Sequence, residues 1–156
     1  MDLGPIQYER IRSGIIWVVF KTKEEMKYFI SGHSDLPYED FENYYFPKIQ
    51  EIFDADRYPG FVIGDCYGAD KFAMDYILNN SGHLLTIYHM FDKPRNIPSN
   101  LDEDPESAGV FFKGGFKSDE ERDSAMTEAS DFDIAFIKDN RWNSGTAQNI
   151  KRRHNI

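Results

Sequence analysis

The chain has one cysteine, Cys66, so no internal disulfide can form. That suits a reducing cytosol, and a cytoplasmic location is expected. No apolar run approaches the roughly 20 residues of a membrane span. The longest, Ile15 to Phe20, is short and precedes no small-residue cleavage site, so neither membrane insertion nor a secretory signal is expected. Basic residues are scarce: 18 Lys and Arg stand against 27 Asp and Glu, a net charge of −9. Gripping a polyphosphate backbone needs a clustered basic face, so double-stranded nucleic acid is not an expected partner. No Cys/His cluster has metal-site spacing, and no metal or cofactor is expected. Internal repeats, low-complexity tracts and interdomain linkers are also missing, which for 156 residues implies one domain.

What is present is a globular composition, 40% hydrophobic and 29% charged. Thirteen Phe, nine Tyr and two Trp predict a ring-rich core. Charge is unevenly spread. Ser99 to Asp131 holds ten acidic residues against three basic ones, and reads as a solvated loop and helix face. Lys138 to Arg153 holds five basic residues against Asp139, as expected where cations compensate a helix C-terminus.

Four short apolar runs read as strands: Lys27 to Ser31, Phe61 to Gly64, Leu84 to His89 and Asp133 to Ile137. Their nearly continuous apolar character fits strands covered on both faces of a parallel sheet. Helical stripes lie between them. Phe41, Tyr44, Tyr45, Ile49, Ile52 and Phe53 form one, with Pro47 expected to kink or restart it. Ala69, Phe72, Ala73, Tyr76 and Ile77 form a second. Ser118 and Glu121 make a capping box for a third helix carrying Ala125, Met126 and Ala129, and a fourth begins near Gly145-Thr146. The expected fold is α/β, a mainly parallel sheet of four to five strands with helices on both faces.

Two regions resist this pattern. Residues 90–117 read as a long connection with three prolines and an acidic run, a lid or the arm of an expected homo-oligomer. Residues 1–25 precede a natural opening at Met26. They read either as an extension with Gly14 to Phe20 as an added edge strand, or as a translated leader, since Lys23-Glu24-Glu25 have purine-only codons. The domain proper is therefore expected over 26–156.

In open parallel sheets, ligands bind beyond the carboxyl ends of the strands. Here those ends carry Ser31-Gly32-His33, then Gly64-Asp65-Cys66-Tyr67-Gly68-Ala69-Asp70, then Asn143-Ser144-Gly145-Thr146. Glycine lets a ligand approach the backbone, and free N–H groups at a helix start attract anions. Three such turns converging on one edge point to a nucleotide-like ligand; the alternative is three ordinary turns.

These residues resemble motifs of the SLOG superfamily, Rossmann-like proteins that include the lonely-guy phosphoribohydrolases and the Smf-type DNA-processing proteins. The likeness is nearest to small YspA/YpsA-type members. Their Ser/Thr-Gly-His/Tyr turn is matched by Ser31-Gly32-His33, and their Gly-x-x-x-Gly-Ala-Asp turn by Gly64, Gly68, Ala69 and Asp70. A helix-opening Arg-Asn/Asp-x-x-Met is matched by Arg122, Asp123 and Met126, and Ser-Gly-Thr by Ser144-Gly145-Thr146. The resemblance spans Met26 to Arg153. It implies a Rossmann-like fold and binding of a nucleotide or nucleotide-derived ligand, for sensing or for N-glycosidic chemistry.

The departures bear on mechanism. The catalytic relatives place an acid three residues after the Gly-Thr threonine, where this chain has Asn149. An amide holds a hydroxyl but is neither general base nor nucleophile. Asn143-Ser144 stands where the lonely-guy phosphate loop has two glycines, and Asp65, Asp70 and Asp123 are the carboxylates able to substitute.

Individual residues carry competing roles. Asp70 is either a helix-start carboxylate or a sugar contact. Arg122 either pairs with helix acids or holds phosphate. His33 is either a ligand contact or incidental, whereas His83 and His89 read as structural. Cys66 lacks an evident histidine partner for nucleophilic work. Trp142 either stacks on a base or covers the sheet edge. Three functional readings follow: a nucleotide-ligand binding protein, a nucleoside-monophosphate N-glycosidase, and an interaction module with a vestigial pocket.

Overall fold

In the central strands, neighbouring residues commit to opposite faces, because successive side chains of a strand alternate. Phe29, Val62 and Tyr88 pack with Met126 in one cluster; Ile30, Ile63 and Ile87 pack in another with Phe41, Tyr45 and Ile49. Both faces are thus apolar and both must be covered. The computed structural model describes residues 7–11, 14–18, 26–55, 58–80 and 83–154.

Five parallel strands form the sheet: β3 (Lys27–Ser31), β4 (Gly60–Ile63), β5 (Leu84–Met90), β6 (Val110–Phe116) and β7 (Phe132–Ala135), in the order β6-β5-β4-β3-β7. The helices are α1 (Tyr38–Tyr44), α2 (Phe46–Ala55), α3 (Ala69–Leu78), α4 (Asp119–Glu128) and α5 (Gly145–His154). The helices α1 to α3 supply the larger cluster and α4 the smaller. This is the α/β, Rossmann-like arrangement expected. Among the described residues, no helix is long and apolar enough to cross a membrane.

The sequence places four strands closely. As expected, the first helical stripe breaks next to Pro47, giving α1 and α2. At α4 the Ser118 hydroxyl accepts the Glu121 N–H, but the Glu121 carboxylate takes the N–H of Lys117, one residue before the cap. The basic end of α5 does more than balance its dipole. Arg153 pairs with Asp133 at 2.8 Å and donates to the carbonyl of Ser130 beyond the end of α4.

Two expectations are corrected. The stretch 90–117 is not one long connection, because Val110–Phe116 is the edge strand β6, paired parallel to β5. Its Gly114-Gly115 pair hid it: a Cβ at Gly114 would collide with the His89 ring, and Gly115 sits at φ +91° where the register shifts. Glycine here serves a close approach and a bulge rather than a loop. The second correction concerns Gly14 to Phe20. Gly14–Val18 (β2) pairs antiparallel with Gln7–Ile11 (β1) in a separate two-stranded ribbon, not on the main sheet. Only two residues separate these strands in sequence, so the local hairpin partner wins. Val19 and Phe20 lie outside the described residues.

Candidate functional site

The first strand, β3, has β4 on one side and β7 on the other, so the chain leaves it in one direction and returns on the opposite side. That reversal is the switch point where α/β sheets open a crevice at their carboxyl edge. A cavity of about 250 Å³ lies there. Of the expected ligand residues, Ser31, Gly32, His33, Gly64, Asp70, Arg122, Gly145, Thr146 and Asn149 line it, together with Asp123. Asp65, Gly68, Ala69 and Ser144 do not. Phe29 and Met126 give it an apolar floor, and Ser34, Cys66 and Asp119 complete the wall.

The turn after β3 is fastened from several sides. The Tyr45 hydroxyl donates to the Ser31 carbonyl at 2.7 Å and accepts the Phe136 N–H at 3.0 Å, joining the ends of β3 and β7. Burial raises the Tyr45 pKa, so the phenol keeps its proton. His33 Nε2 accepts the Lys138 N–H at 2.9 Å, which leaves Nδ1 to carry the proton of the neutral ring. Burial, then the nearby Arg141 charge, lowers its pKa. His33 thus has a fixed structural task beside its place in the wall.

The glycines divide into two kinds. A Cβ at Gly32 would overlap the Ala69 Cβ and the Tyr45 hydroxyl, and one at Gly68 the backbone oxygen of His33. Gly68 also sits at φ +68°. These positions need glycine for packing of turn against turn, and Gly32 lines the cavity as well. Gly145 is different: a Cβ there meets nothing within 4 Å. Gly145 borders both this cavity and the hollow between α4 and α5.

Behind the wall runs a dense charge network. Asp65 is fully buried; it accepts the Arg95 N–H at 2.7 Å, the Arg95 guanidinium at 2.8 Å and Arg122 at 2.7 Å. Burial alone would raise its pKa, but the bonds from Arg95 and the charge of Arg122 bring it below the ordinary value. Arg122 also reaches Asp123 at 3.0 Å and Asp119 at 3.3 Å. Its guanidinium is already committed to carboxylates, so the phosphate role weighed for Arg122 would require displacing one of them.

Asp70 is 5% exposed, and its Oδ2 accepts the Cys66 N–H at 3.1 Å. Burial pushes its pKa up to about 7 despite the opposing Arg122 charge. Burial likewise raises Asp123 and pushes the Cys66 thiol up to about 11, which leaves it unreactive at neutral pH. Asn149 accepts from Arg152 at 2.7 Å. Position 149 lacks a carboxylate, yet Asp123 from α4 lines the same cavity.

At the start of α5, the Ser144 hydroxyl accepts the Ala147 N–H at 3.1 Å, an N-cap bond. Ser144 is therefore a cap, while Gly145 and Thr146 contribute first-turn amides that have no partner within the helix. Ser31 also lines the cavity; it is 6% exposed, and among the described residues its buried hydroxyl has no hydrogen-bond partner. A second hollow of about 330 Å³ between α4 and α5 shares Asp119, Asp123, Gly145 and Asn149 with the first.

Arg95 was missed in the sequence because it sits in the patternless stretch before β6; Asp119 was visible only as a helix-start acid. Among the described residues, no group of three or more His, Cys, Asp or Glu is placed to hold a metal ion. Comparison with known protein families, with curated proteins and with solved structures gave no match.

Proposed function

We propose that this protein binds a nucleotide-derived small molecule at the carboxyl edge of its sheet, as a SLOG-like binding or sensing protein. The observation that carries this reading is the cavity at the switch point, lined by residues of all three small-residue turns and by Arg122 and Asn149. At about 250 Å³ it is below the roughly 300–1,000 Å³ of drug-sized sites, so it suits one nucleoside-sized unit rather than a whole dinucleotide. The first-turn amides of α5 and the unpartnered Ser31 hydroxyl are the groups a ligand would complete. A thermal-shift screen of nucleosides, nucleotides, dinucleotides and cyclic nucleotides tests the reading, because a ligand specific to the native state raises apparent stability. A shift with at least one of them supports it; no shift with any of them refutes it.

A specific observation favours N-glycosidic hydrolysis as the second reading. Asp70 lines the cavity with a pKa pushed up to about 7 by burial, suited to proton transfer at neutral pH. Release of free base from nucleosides or nucleoside monophosphates, lost in Asp70→Asn, would move this reading to first place. The third reading, a vestigial pocket in an interaction module, is disfavoured by a cavity that is open rather than filled by side chains.

A further inference from the structure

The charge around the cavity narrows what it can hold, an inference that rests on the ligand-site reading above. Asp70, Asp119 and Asp123 line it, and Asp65 stands directly behind, 2.7 Å from Arg122. Against these four carboxylates stand two guanidiniums, Arg95 and Arg122, both already paired with them. Among the described residues no lysine lines the cavity, and His33 is held towards its neutral form. With every carboxylate ionised the network carries two excess negative charges, and protonating Asp70, whose pKa burial pushes up to about 7, still leaves one. The N-terminus of α5 offers only about half an elementary charge in return. An anion placed here meets like charge in a space partly shielded from water, where Coulomb repulsion is strengthened.

A hydroxyl meets the opposite situation. Carboxylate oxygens keep lone pairs beyond those the guanidiniums use, and the buried Ser31 hydroxyl, without a partner among the described residues, can both donate and accept. Buried hydroxyls are normally paired, so this one marks a position that a bound polar group would satisfy. We infer that the part of the ligand held in this cavity is uncharged and rich in hydroxyl groups, the class of an unphosphorylated nucleoside, and that phosphates are selected against.

Calorimetric titration of the intact protein at pH 7 with adenosine, guanosine, cytidine and uridine, and with their 5′-mono- and 5′-diphosphates, tests this. The expected result is binding of at least one nucleoside, weakened about tenfold by each added phosphate. Asp119→Asn removes one wall charge at a position 59% exposed in its side chain, and should narrow the gap between that nucleoside and its monophosphate. Tighter binding as phosphates are added would overturn the inference while leaving the nucleotide-ligand reading intact. A gap unchanged in Asp119→Asn would overturn the electrostatic argument. No binding by any member of the three series would overturn both.

Discussion

On the β4 side of the sheet edge, polar groups are paired. Asp65, fully buried, takes bonds from both Arg95 and Arg122, and Arg122 reaches two further carboxylates. At the end of β3 and the start of α5 polar groups are left over: among the described residues the Ser31 hydroxyl has no partner, Gly145 and Thr146 of the first turn line the cavity, and Gly145 borders open space. The two sides share one cavity but carry different work. The paired side is scaffold, since a buried charge survives only with its partners. The unpaired side is where binding can add bonds that folding did not make. The same residue types, carboxylate, hydroxyl and glycine, occur on both, so chemistry alone does not assign a role; the state of pairing does.

The sharpest way to break this contrast is to remove Asp65. Asp65→Ala leaves Arg122 buried among fewer partners and Arg95 with Asp119 alone, and should cost about 3–5 kcal/mol of stability by urea denaturation. A loss near zero would mean the network is ornamental. The matched substitution on the other side, Ser31→Ala, should leave stability unchanged or raise it by up to about 1 kcal/mol, because the hydroxyl has no bond to lose and alanine removes its desolvation cost.

Asp70 tests the boundary between the two sides. Its carboxyl is raised from 3.8 to about 7, so between those values the folded protein holds a proton the unfolded chain has released. Its contribution therefore favours folding at low pH and is lost as pH rises towards 7, after which it levels off. Asp70→Asn keeps an acceptor for the Cys66 N–H but cannot ionise. Relative to the natural protein, it should gain on the order of 2 kcal/mol between pH 5 and pH 8. Parallel melting curves of the two proteins would show the natural one falling more steeply; identical slopes would refute the assignment.

The glycines give the finer contrast. Gly32→Ala forces a methyl into Ala69 and Tyr45 and should cost about 1–3 kcal/mol. Gly145→Ala meets open space and, at the first position of a helix, should leave stability within about 0.5 kcal/mol. Equal losses at the two sites, by chemical denaturation, would erase the distinction between packing glycine and cavity glycine.

Much of the fold was legible because the apolar runs 27–31, 61–64 and 84–89 are buried on both faces and leave no helical alternative. The strand β6 was not legible. It lies at the sheet edge, mostly exposed, and its two glycines answer to a neighbouring histidine ring and a bulge rather than to local conformation. At the candidate site, the turns were legible through their small residues, and Arg122, Asp123 and Asn149 through motif position. What each residue does there was not. Gly32 lines the cavity but also packs turn against turn, as Gly68 does, and Arg122 pairs with the helix acids Asp119 and Asp123 and also with Asp65, which no spacing rule places beside it. Pairings such as Arg95 with Asp65 span 30 residues and exist only once the sheet has formed.

The measurement that bears most directly on the central claim is a side-by-side calorimetric titration of the natural protein and Gly145→Val, using the nucleoside or nucleotide that gives the largest thermal shift. A branched side chain at position 145 would project into open space beside the first turn of α5. Saturable binding to the natural protein is expected, with binding reduced at least about a hundredfold in Gly145→Val and melting temperatures that agree closely, since the substitution meets no neighbour among the described residues. Equal binding by the two proteins, with both folded, would place the ligand elsewhere and contradict the account.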